Sequence, residues 1–237
     1  MATVLLVRHG RSTANTAGVL AGRTPGVHLD ETGREQVRAV GERVSAVPLR
    51  LVATSPLERC RETADALLTG QISAVPLTVE DRLTECDYGA WQDGRIAELA
   101  KEPLWRTVQE HPSHATFPDG ESLRAMASRA VAAVRDLDRR VEEEHGPEAV
   151  WAAVSHGDVI KSVLADALGA HLDQFQRIVV DPASVSVVRF SSARPYVVAT
   201  NTHGGDLGWL ATKVEGAGTA ASVPGGGVGP TSTSPST

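Results

Sequence analysis

The sequence predicts an α/β fold with a largely parallel central sheet, and three observations predict it. Short apolar runs without alternation, TVLLV (3–7) and AVWAAV (149–154), are what a strand buried on both faces requires. Segments with helical apolar spacing separate such runs, the alternation that builds parallel sheets. The 237 residues, 41% hydrophobic and 22% charged, are ordinary for a globular chain.

Taken in order, TVLLV is the first strand. LDETGREQVRAVGERV (29–44) follows as a helix, with Thr32 and Glu35 at capping-box spacing and a stripe of Val37, Val40 and Val44. A second strand, LVAT (51–54), runs into Ser55-Pro56, read as an N-cap and a first-turn proline for the helix LERCRETADALL (57–68). VPLTV (75–79) is a third strand, and DRLTECDYGAWQDG (81–94) is mostly loop. Residues 93–120 carry prolines and histidines without steady periodicity, and are expected to form a short lid. A long helix is predicted from Ser122 to Glu144, where Leu123, Met126, Ala130, Val134, Leu137 and Val141 share one face. AVWAAV is the next strand, and a helix over Val159–Leu168 ends at Gly169. Two strands behind Asp181-Pro182, VSVVRF (185–190) and YVVAT (196–200), close a single domain expected over 1–213. Residues 214–237, rich in Gly, Ser, Thr and Pro, lack side chains able to build a core and are expected to be a disordered tail.

Bulk properties exclude several function classes. A net charge of −6 gives no general attraction to nucleic acid or to an anionic membrane. No apolar run reaches the length of a membrane span, and MATVLLVRHG lacks a basic leader and a cleavage site, so the expectation is a cytoplasmic protein. Cys60 and Cys86 form neither a disulfide framework nor a CxxC pair, and Ala66 and Gln92, six positions on, rule out a cysteine-based phosphatase loop. The only lysines are Lys101, Lys161 and Lys213. Any acidic ligand must therefore meet locally clustered arginines.

The chemistry-bearing residues sit at strand ends. His9 and His156 each follow an apolar strand and precede a glycine, and ligands of open α/β sheets bind beyond the carboxyl ends of strands. A single such histidine would suit a structural role; two in matching frames, one behind Arg8, point to one pocket. Arg59, early in the helix after the second strand, lies at the same sheet edge; as a surface residue it would pair with Glu58 or Glu62 instead. Glu85 follows the third strand and is placed to carry a proton. Arg8, Arg59, His9 and His156 together make a cationic cluster inside an acidic chain, suited to a phosphoryl group.

These segments resemble the histidine phosphatase superfamily, the branch holding cofactor-dependent phosphoglycerate mutases and related small phosphatases. The matching pieces, RHGRSTAN, SPLERCRETA, LTECDYGAW and VSHGDVIK, stand in the family's order over residues 3 to about 165. The resemblance implies a three-layer α/β/α sandwich with a mostly parallel central sheet, of phosphoglycerate mutase-like type. It implies that His9 is the nucleophile and becomes phosphohistidine, and that Arg8, Arg59 and His156 hold the phosphate oxygens. Glu85 would protonate the leaving oxygen and then help water attack; Asn15, Gly22 and the backbone of Gly157 would complete the substrate contacts. No metal and no cofactor is implied, and HPSH (111–114), whose spacing could suggest a metal pair, is read as loop because Pro112 spoils a helix.

The expected partner is a small phosphorylated metabolite, with no nucleic acid and no membrane; the sequence assigns no surface to an oligomer interface. Hydrolysis of a phosphomonoester is the leading activity, a phosphoglycerate mutase-type reaction the second and non-catalytic phospholigand binding the third. The glycolytic mutases carry an adjacent arginine pair in a longer insertion, whereas residues 93–122 here hold Arg95, Lys101 and Arg106 and no such pair. Trp91, Trp105 and Phe117 in this region either meet an apolar part of the substrate or pack the lid onto the core.

Overall fold

The computed structural model describes residues 2–205 and 207–210. Its elements, in chain order, are β1 (Thr3–Arg8), α1 (Thr13–Ala17), α2 (Glu31–Val44), β2 (Leu49–Thr54), α3 (Glu58–Thr69), β3 (Leu77–Val79), α4 (Ile96–Leu99), α5 (Pro103–Glu110), α6 (Leu123–His145), β4 (Val150–Ser155), α7 (Gly157–Ala167), β5 (Val185–Arg189) and β6 (Tyr196–Thr202), with short 3-10 turns between. The six strands form one sheet in the order β3-β2-β4-β1-β5-β6. β1, β2, β3 and β4 run parallel, and β5 is antiparallel to both of its neighbours, β1 and β6. The expected tail, 214–237, lies outside the described residues.

The unbroken apolar strands are explained by two cores. On β1, Val4 and Leu6 join a cluster that includes Met126, Val134 and Leu137 of α6 and Ile160 and Leu164 of α7. Leu5 and Val7, one residue out of phase, join the opposite cluster with Val37 and Val40 of α2 and Cys60 and Leu67 of α3. Successive side chains of a strand point to opposite faces, so a strand covered on both sides has no polar positions. The result is the expected α/β/α sandwich. Among the described residues no helix is long and apolar enough to cross a membrane.

Several local expectations are corrected. α2 is capped by Asp30, whose carboxylate accepts the Gly33 N–H at 2.7 Å, not by a box of Thr32 and Glu35. Asp30 stands one residue before the helix, where an N-cap must be; Thr32 is already inside it. α3 begins at Glu58 behind Leu57 without a side-chain cap, because Ser55 has another use described below. β2 starts earlier, at Leu49, and β3 is only three residues long. The 93–120 segment is less irregular than expected: it contains α4 and α5, the latter starting on Pro103. His111 precedes a 3-10 turn, Pro112–His114, that ends on the second histidine, and the two rings are 6.4 Å apart.

Trp91 and Phe117 belong to the α6–α7 core, 7% and 2% exposed, and Trp105 stacks on Trp91 at 6.1 Å. Packing of this segment onto the core thus accounts for all three aromatics.

Behind β1 the chain passes tightly against the start of α2. The Gly33 Cα approaches Arg11 so closely that a Cβ there would stand 1.9 Å from the Arg11 carbonyl oxygen. Gly10 meets the same turn from the other side, a Cβ there lying 2.7 Å from the Gly33 oxygen. Gly33→Ala is therefore expected to cost about 1–3 kcal/mol, the usual range for overpacking. The check is urea unfolding, with a lowered midpoint at unchanged slope; an unaltered midpoint would show that the loop yields freely.

Candidate active site

β1 and β4 are parallel neighbours with Arg8 opposite Ser155, and the His9 N–H donates to the Ser155 carbonyl at 3.0 Å. The next residue of each strand is a histidine, so register alone delivers His9 and His156 side by side. Their ring centroids are 5.2 Å apart at 62°, and both are buried. His9 Nδ1 lies 2.7 Å from the Gly10 carbonyl oxygen. A carbonyl only accepts, so the proton is on Nδ1 and Nε2 carries the lone pair. His156 Nδ1 faces Arg59 Nη2 at 3.2 Å, which must donate, so the His156 proton sits on Nε2 and points to Ser55 Oγ at 2.8 Å.

Arg59 is 2% exposed and touches three members of the site. Its Nε lies 3.4 Å from His9 Nε2, and its Nη2 also donates to the Gly22 carbonyl at 2.8 Å. The surface pairing with Glu58 or Glu62 does not occur: Glu58 accepts the Gly26 N–H, and Glu62 bonds His28. Arg8 Nη1 donates to the Val180 carbonyl at 2.7 Å. Arg59 Nη1 and Arg8 Nε are buried with no hydrogen-bond partner. Leaving a charged donor unsatisfied in a protein interior is costly, so such groups call for an explanation.

Electrostatics follow from this crowding. Burial first, then the charges of Arg59 and Arg8, hold the His9 imidazolium well below the ordinary histidine range. His156 is lowered likewise by burial and by Arg59. Both rings are neutral at physiological pH. Glu85, 9% exposed, follows a 3-10 turn at Asp81–Leu83; its Oε1 accepts the Cys86 N–H at 2.9 Å and its Oε2 lies 4.0 Å from His156 Nδ1. Burial, then the charge of Asp158, pushes its carboxyl up to about 7. Cys60 Sγ lies 3.4 Å from His156 Nε2, but burial drives its thiol up to about 12, which leaves it unreactive.

Of the expected substrate contacts, Gly22 and Gly157 adjoin the cluster. Gly22 adopts φ +52°, a conformation that favours glycine, and its carbonyl is committed to Arg59. Gly157 opens α7, with the Arg8 guanidinium 3.5 Å from where a Cβ would stand. Asn15 bonds elsewhere: its Oδ1 accepts from the backbone N–H and hydroxyl of Ser12, closing a capping box on α1. Its amide Nδ2 remains the group able to donate.

Sequence reasoning missed Ser55, which reads as a cap but orients His156. Its position at the carboxyl end of β2, next to β4 in the sheet, was the available signal. It also missed the shell around the glutamate: Tyr88 donates to Asp158 at 2.9 Å, and Arg23, Glu121 and Arg129 surround the Glu85 backbone. Among the described residues no group of three or more His, Cys, Asp or Glu side chains is placed to hold a metal ion.

Known proteins with this fold and sequence pattern fall in one family. A family model, the histidine phosphatase superfamily (branch 1), matches residues 4–203. The chain is 29% identical over 204 residues to phosphoserine phosphatase 1 of Hydrogenobacter thermophilus, covering 85% of this chain and 92% of that protein. It is 31% identical over 182 residues to a probable phosphoglycerate mutase of Photorhabdus laumondii, covering 75% and 81%. Among solved structures, a mycobacterial glucosyl-3-phosphoglycerate phosphatase in complex with VO3 superposes with a TM-score of 0.76 at 24% identity, over 84% of this chain and 99% of that one.

Proposed function

The chain belongs to branch 1 of the histidine phosphatase superfamily, and we propose that it is a metal-independent phosphomonoesterase that hydrolyses a small phosphorylated metabolite in the cytoplasm through a phosphohistidine at His9. One observation carries the reading: two buried guanidinium donors without protein acceptors, on Arg8 and Arg59, stand beside a neutral imidazole whose Nε2 lone pair meets only a long 3.4 Å contact from Arg59 Nε. Phosphoryl oxygens are the acceptors that forked guanidinium donors fit.

In this reading Arg8, Arg59, His156 and the Gly157 N–H at the start of α7 hold the phosphoryl oxygens, helped by the helix dipole. Asn15 Nδ2 and the Gly22 backbone supply further contacts, and residues 93–120 act as a short lid. His9 Nε2 attacks phosphorus; the N–P bond forms as the bond to the leaving oxygen breaks. Glu85, whose raised carboxyl keeps about half of the molecules protonated near neutral pH, gives its proton to that oxygen. Water then attacks the phosphohistidine, Glu85 takes the water's proton, the N–P bond breaks and inorganic phosphate departs. Fixed cations beside the transferring group need no reorganisation during either step, which is how positioning and electrostatics supply most of the rate.

A mutase reading draws support from the phosphoglycerate mutases among the relatives. Against it, Lys101 and Arg106 are spent on surface ion pairs with Glu98 and Glu110, 70% and 82% exposed, rather than turned to a substrate carboxylate. Incubation with 2- and 3-phosphoglycerate, within a panel of phosphorylated metabolites, separates the two. Phosphate release outpacing isomer exchange is expected; faster exchange would make the chain a mutase, and inertness across the panel would favour the non-catalytic reading.

A further inference from the structure

The Glu85 loop is held by an ion cluster lying outside the four sequence motifs. Arg129, on the second turn of α6, donates from Nη1 to the carbonyls of Arg82 and Thr84, both at 2.7 Å, and from Nη2 to that of Glu85 at 3.1 Å. Both nitrogens facing Glu121, Nε and Nη2, bond its carboxylate. Glu121 also accepts the Asp87 N–H at 3.0 Å and Arg23 Nη2 at 2.9 Å, while Arg23 Nε donates to the Glu85 carbonyl at 2.9 Å. Main chain on both sides of the glutamate is thus fixed by charge-assisted hydrogen bonds, and its own carbonyl receives two of them.

The cluster is partly shielded, with Glu121 and Arg129 side chains 18% and 20% exposed. Burial alone would push the Glu121 carboxyl up, yet Arg129, the Asp87 amide and Arg23 hold it below the usual carboxylate range. Carbonyls bound by a guanidinium fork cannot rotate freely, and a bidentate pair adds geometric definition to strength. Arg23 extends the arrangement across the crevice, because it follows Gly22, whose carbonyl positions Arg59.

We propose that Arg129 and Glu121 are positioning residues that aim Glu85 at the leaving oxygen. This rests on the reading of Glu85 as the acid. Neither side chain touches the reacting atoms; they act through the backbone they hold.

The test uses kcat/KM for two probes, p-nitrophenyl phosphate, whose leaving group needs no proton, and phenyl phosphate, whose leaving group does. Arg129→Met and Glu121→Gln are each expected to lower the phenyl phosphate value about tenfold to hundredfold, part of what general acid catalysis supplies. The p-nitrophenyl phosphate value should fall about threefold or less. Arg129→Lys should restore part of the loss, since an ammonium replaces some donors but not the fork. Added to Glu85→Gln, Arg129→Met should cost little more, because the two changes remove one function. Hydrogen exchange reads the clamp without reference to chemistry: the Asp87 amide, left without its acceptor, should lose protection in Glu121→Ala while β1 and β4 keep theirs.

Unchanged protection of Asp87 overturns the proposal, whatever the kinetics. Equal losses on both probes in the Arg129 and Glu121 variants, with Glu85→Gln still selective, overturn it while leaving the acid reading intact. A Glu85→Gln enzyme that loses both probes equally removes the acid itself, and the aiming role with it.

Discussion

His9→Ala is expected to reduce kcat for p-nitrophenyl phosphate by about 10⁴-fold or more, equivalent to roughly 5.5 kcal/mol of barrier. The size follows from what remains. Without the imidazole no covalent intermediate forms, and water must attack directly from a position the site does not organise. The phosphate-holding groups persist: Arg8 keeps its bond to Val180, and Arg59 keeps those to Gly22 and His156. Competitive inhibition by inorganic phosphate should therefore change by less than about tenfold, since the lost side chain is neutral and its neighbours carry the charge. Quenching the wild-type enzyme in base during turnover of labelled substrate should leave acid-labile label on His9, and the variant should carry none. Turnover retained above about a tenth of wild type would refute the covalent role.

What could be read beforehand was whatever depends on local pattern plus one rule of topology. The unbroken strands TVLLV and AVWAAV force a sheet covered on both faces, and the rule that parallel strands present their carboxyl ends together brings His9 and His156 into one crevice. The long apolar stripe of α6 was legible for the same reason: every one of its predicted contacts faces the core. The misses are contacts whose partner is distant in sequence. Ser55 and His156 are 101 residues apart, and a serine before a proline at a strand end satisfies the rules for a cap equally well. Arg129 looks like any exposed arginine on an amphipathic helix, and only the packing of α6 against the Asp81–Leu83 turn gives it three carbonyls. The helix α5 escaped because the prolines flanking it, Pro103 and Pro112, read as breakers, whereas one begins the helix and the other follows its end.

Glu85→Gln should separate the two halves of the reaction and expose what the acid costs the fold. In kcat/KM, which reports only the step through departure of the leaving group, phenyl phosphate should lose about 10²–10³-fold and p-nitrophenyl phosphate less than about tenfold. Breakdown of the phosphohistidine also needs Glu85, as base, so the variant should show a burst of p-nitrophenol followed by slow turnover, with phosphoenzyme accumulating. The pH dependence has a definite sign. Burial and Asp158 raise the carboxyl to about 7, so the acid form is lost as pH rises through that value, and wild-type kcat/KM for phenyl phosphate should fall there. The variant profile should be flat in the same window, because His9 is already neutral. The raised value also means that the folded state holds this proton more tightly than the unfolded one. The stability so gained is complete below the ordinary glutamate range and disappears as pH rises through about 7. Glutamine has no charge to bury, so the variant should become more stable than wild type above neutrality, by on the order of 3 kcal/mol, while matching it near pH 4. Urea unfolding at both pH values reads this difference directly. Equal stability at high pH would show that burial does not strain this carboxyl, and a phenyl phosphate profile that ignores the substitution would show that it is not the proton donor.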